Sequence, residues 1–457
     1  MGVLDSIALG RRALSAAATG IDVTSQNVAN AATPGYSRRR VVQQTTDPLR
    51  RGGVWVGTGV EVKGISRASD RLLGVRLVAS TGTRAQAETT EQVLSVAQGY
   101  FDETSGTGLS EAYHAFYDGL SSLTADPSDP SHRRAAVEAA RTLATTVSRT
   151  AQGLETSIES VDTSLADYSD SINGSLREVA SLNAAIGKST PETGPGDLLD
   201  RRDELVRSLG ELAGATVDLD ATGQATVFIG GHAVVTGREY RTVSVAPDSA
   251  GDTQIYVSSD SGKLRITDSV GGKLGGLMAA RDTMSDWLGT LDDFATNIAT
   301  IVNAQHALGF DSTGAPGGDV FSLDPTAPAS SLDVDAALAA DPELLAVAGA
   351  ATAEPGDDAN LKLILDLESS TTFGGATGAG ALSSLTSSVG ASIATASDDA
   401  ATLGAQMDDL EMQRDAVSKV DTDEEAIRLI EYQTAYRAAA RVLSAGDQML
   451  QTLLAIG

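Results

Sequence analysis

A chain of 457 residues that is 41% apolar is long enough to bury more than one core, so disorder throughout is excluded. A formal charge of −28 repels phosphate backbones and argues against a nucleic-acid partner, and the absence of cysteine rules out disulfides, thiolate metal sites and cysteine nucleophiles. Aromatic residues are only 4% while glycine alone numbers 47, a balance that favours long helices and turn-rich β segments in an elongated molecule.

From Leu4 to Ala29, Ile7, Leu14, Ile21 and Val28 recur every seven positions with Ala17 and Ala18 between them, which predicts a helix with a narrow apolar seam. Thr33-Pro34-Gly35 stops it, because proline restricts the residue before it and glycine tolerates left-handed geometry. Residues 36–66 turn to β character, with Val41-Val42, Val54-Trp55-Val56 and Val60-Glu61-Val62 parted by glycine pairs, and predict a hairpin or β arm. Residues 1–80 hold 11 Lys/Arg against 5 Asp/Glu, a balance of +6 that leaves −34 for the rest, so the arm is electrostatically distinct from the body. Helix is expected again from about Arg67 to Tyr100 and around Leu109 to Leu123.

The longest helix is predicted from Ser131 to Ile186, where Val147, Ala151, Leu154, Ile158, Val161, Leu165, Tyr168 and Ile172 step by fours and threes over several heptads. At 1.5 Å per residue it would span roughly 80 Å. A further helix covers about Gly196 to Leu212. Short β runs such as Ala225-Thr226-Val227-Phe228-Ile229 and Gln254-Ile255-Tyr256-Val257 then fill Thr216 to Thr267. Helix returns from Leu274 to Ala307, and the Gly/Pro/Ala/Asp-rich stretch 309–380, with weak periodicity, is assigned to the periphery of the β region. In the last helix Leu429, Tyr436, Leu443 and Leu450 again recur by sevens, and Thr422 with Glu425 suggests a capping box.

The expected fold is mainly α with inserted β. Residues 1–33 and 424–457 form a nested coiled-coil pair of terminal helices, and 34–66 a β connector. Residues 67–214, 271–308 and 381–423 make an elongated helical-bundle domain, and 215–270 with 309–380 a small β-rich outer domain. Nesting of this kind suits a tube-forming subunit, in which many copies bury stripes that one copy leaves open.

Chemistry is sparse. His114, His132, His232 and His306 are scattered and belong to no HExxH pattern. Gly272-Lys273 lacks the earlier glycine and the following hydroxyl of a phosphate loop, and Gly57-Thr58-Gly59 leads into β structure and reads as a turn. Asp218 to Gly223 imitates an EF-hand opening, but Ile229 stands where the bidentate Glu is needed. No catalytic, metal or cofactor-binding residue is assigned. No apolar run approaches the roughly 18 residues of a membrane span, Arg11-Arg12 break any signal-like stretch, and Met1-Gly2 fit only a loose myristoylation pattern.

Ser25-Gln26-Asn27-Val28-Ala29-Asn30-Ala31-Ala32-Thr33-Pro34-Gly35-Tyr36 resembles the N-terminal signature of flagellar rod, hook and hook-associated axial proteins. Physically, Asn27 and Asn30 can bond backbone groups as the helix ends, Pro34-Gly35 turns the chain, and Tyr36 begins the arm. The Thr-Pro-Gly-Tyr form, the segments Leu198–Val206, Gly271–Leu277 and Asn303–Asp311, and Tyr432–Arg441 followed by Gln448–Leu454 resemble the hook-associated family in its own order along the chain.

That resemblance implies a structural, non-enzymatic subunit at the junction of hook and filament, exported unfolded through the flagellar type III apparatus to an extracellular position. It implies as partners identical copies in a ring, the hook protein, a second junction protein (hook-associated protein 3), and an export chaperone at the C-terminal helix. Other axial subunits, or a secreted enzyme on an axial scaffold, are the alternatives. The axial interface is expected to use Leu4, Ile7, Leu14, Ile21, Asn27, Val28, Asn30, Pro34, Gly35, Tyr36, Leu429, Tyr436, Leu443, Leu450, Leu453 and Leu454, with Leu429, Tyr436, Leu443 and Leu450 also taking the chaperone. The chain is short for the family, and its outermost part is expected to be reduced.

Overall fold

The computed structural model describes residues 3–51, 53–101, 108–188, 196–220, 223–249, 251–352 and 356–456. Met1-Gly2, Gly52 and Ala221-Thr222, which the sequence reading touched, lie outside them. In chain order come α1 (Val3–Ala29), β1 (Arg39–Thr45), β2 (Leu49–Arg51), β3 (Val54–Val56), β4 (Val60–Arg67), α2 (Arg71–Gln98), α3 (Leu109–Leu123), α4 (Pro130–Ile186) and α5 (Gly196–Ala213). Strands β5 (Thr216–Leu219), β6 (Ala225–Ile229), β7 (His232–Thr236), β8 (Glu239–Tyr240), β9 (Val243–Pro247), β10 (Thr253–Ser259) and β11 (Gly262–Arg265) follow. The remainder is α6 (Gly272–His306), β12 (Phe321–Ser322), β13 (Asp333–Val334), α7 (Ala336–Ala340), α8 (Ala359–Asp366), α9 (Gly378–Ser418) and α10 (Thr422–Ile456). The fold is mainly α with inserted β.

The chain packs into two units, one of Met1–Ala85, Tyr168–Gly275 and Thr402–Gly457, the other of Gln86–Asp167 and Gly276–Ala401. In the first, β1 pairs antiparallel with β4 and the two enclose the β2–β3 hairpin. Strands β5 to β8 form one antiparallel sheet in sequence order, and β11, β10 and β9 a second. Alternation of burial along β6 places Ala225, Val227 and Ile229 inside. The C-terminal part of α4 brackets both sheets with amides. Asn173 accepts from Val243 N at 2.8 Å and donates to Val243 O at 2.8 Å, and Asn183 does the same for Ala225 at 2.9 and 2.7 Å. A side-chain amide that satisfies both backbone groups of one residue ties that strand to the helix.

The second unit is built on aromatics from α3. Tyr113, Phe116 and Tyr117 are almost wholly buried, and Phe116 meets Phe321 edge-on at 5.5 Å while Phe101 meets Trp287 at 5.7 Å. On α4 the heptad positions Val147, Ala151, Leu154, Val161, Leu165 and Ile172 are buried, whereas Ile158 and Tyr168 are half-exposed.

The assignment of 309–380 to the β-rich domain is corrected by this packing. The stretch sits in the second unit with α3 and the N-terminal part of α4, apart from the sheets of 215–270. Arg133, 3% exposed, reaches out from α4 and donates to Leu345 O at 2.7 Å and Glu343 O at 3.2 Å. Aspartate turns shape the segment: Asp311 accepts from Thr313 N and Ala315 N, and Asp335 caps α7. Such side-chain-to-backbone bonds leave no period-two pattern to read.

The helical-bundle grouping is likewise redrawn, since 67–214 contributes to both units. At the last helix, Asp421 rather than Thr422 caps the start, accepting from Asp423 N at 2.9 Å and Glu424 N at 3.2 Å. The Glu425 carboxylate turns elsewhere.

Candidate assembly site at the paired termini

Helix α1 lies antiparallel against α10, and small residues set the distance. A Cβ added at Gly20 would stand 2.5 Å from the Tyr432 ring, one at Gly446 2.7 Å from Ile7, and one at Gly10 3.3 Å from the Leu443 nitrogen. The buried face of α1 is therefore Gly10, Ala16, Ala17, Gly20, Val23, Thr24 and Asn27. This differs from the large-residue seam expected from the heptads. Ile7, Leu14 and Ile21 are half-buried, and Leu4 and Val28 are exposed. A straight helix drifts about 20° per heptad from a strict seven-residue repeat, so an every-seventh series slides off the contact line along four turns or more. Where backbones approach closely, glycine and alanine occupy that line instead.

At the far end of this pair a buried polar knot ties four parts of the chain together. Asn27, wholly buried, accepts through Oδ1 from Arg39 N at 2.9 Å and from the Tyr36 hydroxyl at 2.9 Å, and donates through Nδ2 to Arg39 O at 2.9 Å and Glu425 Oε2 at 2.9 Å. Glu425, 1% exposed, takes Arg38 Nε on its other oxygen at 2.8 Å. Arg38 also pairs with Glu424, and its backbone N–H donates to Ser418 O at 2.9 Å, fastening the β arm to the α9–α10 link. Burial works against the Arg38 charge, but the bonds to Glu424 and Glu425 outweigh it and hold the guanidinium more firmly protonated than usual. The Glu424 carboxyl is correspondingly held below its usual range by its hydrogen bond from Arg38.

Beside the knot, α5 supplies the acids that receive the arm. Arg39 pairs with Asp197 and with Asp200 at 3.2 Å, and its guanidinium lies 5.0 Å over the Tyr36 ring. Arg67 lies 2.9 Å from Asp200 and 2.7 Å from Asp203. Burial pushes the Asp200 carboxyl up, against the pull of Arg67 and Arg39. The Leu198–Val206 segment thus clamps the two outer strands of the arm. Sequence reasoning missed this because the partners are separated by 136 to 161 residues.

Of the expected interface residues, the fold gathers Asn27 and Tyr36 into the knot, with Asn30 beside it donating to Gln26 O at 3.0 Å and Gly35 at φ 77° after Pro34. Leu429, Leu443 and Leu450 are half-buried, while Tyr436, Leu453 and Leu454 are exposed, the last at 74%. Ile427, Ile430, Val442 and Met449 on α10 are exposed as well and were not singled out. They lie one or two positions away from the every-seventh series, so a reading that followed that series alone passed them by. What the arrangement offers is a closely packed helix pair that leaves several large apolar side chains on its outer surface. Among the described residues no group of three or more His, Asp or Glu is placed to hold a metal, and no helix is long and apolar enough to cross a membrane.

Comparison with known proteins agrees with this layout. The model of the flagellar hook-associated protein FlgK helical domain matches residues 94–321, that of the flagellar basal body rod FlgEFG protein C-terminal matches 414–456, and that of the flagella basal body rod protein matches 7–36. The chain is 26% identical to flagellar hook-associated protein 1 of Escherichia coli K12 over 97% of its length and 98% of the relative's. It is equally 26% identical to the protein of that name in Bacillus subtilis 168 over 97% and 96%. The E. coli alignment runs over 540 residues, so that relative carries segments this chain lacks. In fold the chain is similar to a structure described as the flagellar hook junction protein FlgK from Burkholderia pseudomallei, with a TM-score of 0.67 at 17% identity, over 75% of this chain and all of the other.

Proposed function

The chain belongs to the flagellar hook-associated protein 1 family, and from that premise we propose that it works as a structural subunit at the junction of hook and filament, with α1 and α10 as its axial assembly element. One observation carries the assignment of the element: α1 and α10 are locked to each other by Asn27, Glu425 and glycine contacts, yet Leu4, Ile427, Ile430, Val442, Leu453 and Leu454 remain on their outer surface. Apolar side chains in that number on a fixed pair are covered when copies assemble. Identical copies in a ring, the hook protein on one side and hook-associated protein 3 on the other, are the partners this reading requires. Export through the flagellar apparatus would place the subunit outside the cell, and it performs no catalysis.

A deletion strain tests the role by electron microscopy. Hooks without filaments are expected; loss of the hook itself would make the chain another kind of axial subunit. The export chaperone is assigned to α10, through Leu429, Tyr436, Leu443 and Leu450. Because α1 half-covers three of these four, the chaperone must compete with α1 for the helix. Titration calorimetry should give tighter binding to an isolated α10 peptide than to the folded chain, and binding weakened by Leu443→Ser/Leu450→Ser. Equal affinity for the parent and double-variant peptides would remove this stripe as the chaperone site.

A further inference from the structure

The β2–β3 hairpin carries the chain's more exposed tryptophan. Trp55 is 65% exposed and lies opposite Arg50 in the ladder, while Leu49 and Val54 are exposed on the same ribbon. The other tryptophan, Trp287, is buried. Tryptophan and arginine are among the residues most enriched at the hot spots of protein interfaces. The eight residues Leu49–Val56 contain two arginines and no acid, in a chain of net charge −28.

The same unit contains a half-open cleft of about 360 Å³, at the size where pockets begin to take an organic group. Its apolar wall is Leu73, Leu77 and Val78 of α2, Val206 of α5, and Val217 and Leu219 of β5. Arg67, Arg71, Arg202, Arg207 and Arg414 also line it, and each is paired with an acid of its own chain. Asp70, exposed and also lining the cleft, accepts from Leu73 N and is in none of those ion pairs.

Trp55 cannot enter the cleft of its own chain. Strand β4 runs from Val60 to Arg67, Arg67 lines the cleft, and the hairpin lies beyond the Val60 end. At about 3.4 Å per residue the strand alone separates the two by more than about 20 Å.

We propose that the β2–β3 hairpin of one copy inserts Trp55 into the α2–α5–β5 cleft of a second copy of this chain, with Arg50 set against Asp70. Hairpin and cleft are different patches, so the contact is head-to-tail and repeats from copy to copy, which a ring or helical array needs and a two-fold dimer does not. The proposal rests on the reading of the chain as one of many identical subunits, and it adds which surfaces meet.

The test replaces Trp55 with the photoreactive aromatic benzoylphenylalanine in a strain that makes no other copy of the chain. Flagella are irradiated and the cross-linked peptides identified by mass spectrometry. Adducts are expected on residues 69–78 or 217–219 of another copy, and Val217→Arg, which fills the cleft, should reduce them at least tenfold. Because Trp55 is exposed, the replacement leaves the fold intact, and circular dichroism of the purified variant checks this. Chain present in the flagella with adducts on the hook protein, on another surface of this chain, or with none, overturns the hairpin-to-cleft contact and leaves the assembly role standing. Absence of the parental chain from flagella defeats the assembly role and this contact together.

Discussion

Helix α3 and helix α10 follow opposite building rules within one chain. Seven of the 15 residues of α3 are buried, six of them aromatics or leucines, and no large apolar side chain of the helix is left for a partner. Along the 35 residues of α10, only Glu425, Ala439 and Gly446 are buried among the described side chains. Helix α3 thus spends its large apolar residues inside its own unit, whereas the terminal pair is held by close backbone approach and a polar knot and keeps several large apolar residues outside. Helices in proteins gain most of their stability from tertiary packing of an apolar face, so the terminal pair is the part whose stability depends on neighbours.

The largest effect expected from this contrast is at Phe116, 1% exposed in the second unit. Phe116→Ala should cost about 3–5 kcal/mol through lost burial and the cavity left behind. Urea unfolding of the purified chain measures it, and a loss below about 1 kcal/mol would mean that this core is not tightly packed.

Asn27→Ala should come next. It removes the partner of Arg39 N, Arg39 O, the Tyr36 hydroxyl and one Glu425 oxygen at once, and buried groups left unpaired cost about 1–3 kcal/mol. The loss should be local. Amide exchange should rise in α1 and α10 and stay unchanged in α3, and equal acceleration in both would break the separation drawn here.

Acid should divide the two regions by pH. His306, 1% exposed, donates from Nδ1 to Gly318 O at 2.7 Å and accepts at Nε2 from Ala346 N at 2.7 Å, so the neutral ring is the one that fits. Burial pushes its pKa below 6.5. The unfolded chain therefore takes up the proton first, and the stability His306 contributes is present above pH 6.5 and is lost as pH falls below it. Glu424, held below its usual 4.5, keeps its contribution until pH falls past that value, while Asp200, raised by burial, opposes the loss in the same cluster. The second unit should weaken as pH falls from 6.5 toward 4.5, while the knot holds. An unfolding midpoint for the second unit that is flat across that interval would contradict the staple role of His306.

These two regions were unequally legible in the sequence. Helix α4 was legible from its heptads because its buried positions are close to periodic, and α3 was expected at Leu109 to Leu123, the limits it has. The terminal contact was half legible: the motif around Asn27 marked the place, and the Asn30 bond to Gln26 O is the local kind foreseen there. Asn27 instead bonds a residue 398 positions away, which no local pattern announces. Asn303–Asp311 was recognised as a family motif without a role. In the structure Asn303 accepts from Val320 N and Phe321 N, and Gln305 donates to Asn360, so the motif staples the stretch 309–380 to α6. That stretch was misplaced for the same reason, since its order comes from single amide and carboxylate bonds rather than repetition.

The smallest effect on stability, and the sharpest use of the comparison, is at Leu454. The side chain is 74% exposed near the end of α10, so Leu454→Ala removes little that the free chain has buried and should change its unfolding free energy by no more than about 0.5 kcal/mol. Assembly is a different matter. If a neighbour covers this leucine, truncation forfeits about 1.5–3 kcal/mol of apolar burial per contact, and the loss recurs at every copy in a closed array. The variant should therefore match the parent in urea unfolding, yet appear in isolated flagella at less than a tenth of the parental amount in a strain that expresses both chains equally. Equal incorporation of the two would show that the end of α10 is not covered in the assembly, and would confine the axial interface to the stretch between Ile427 and Met449.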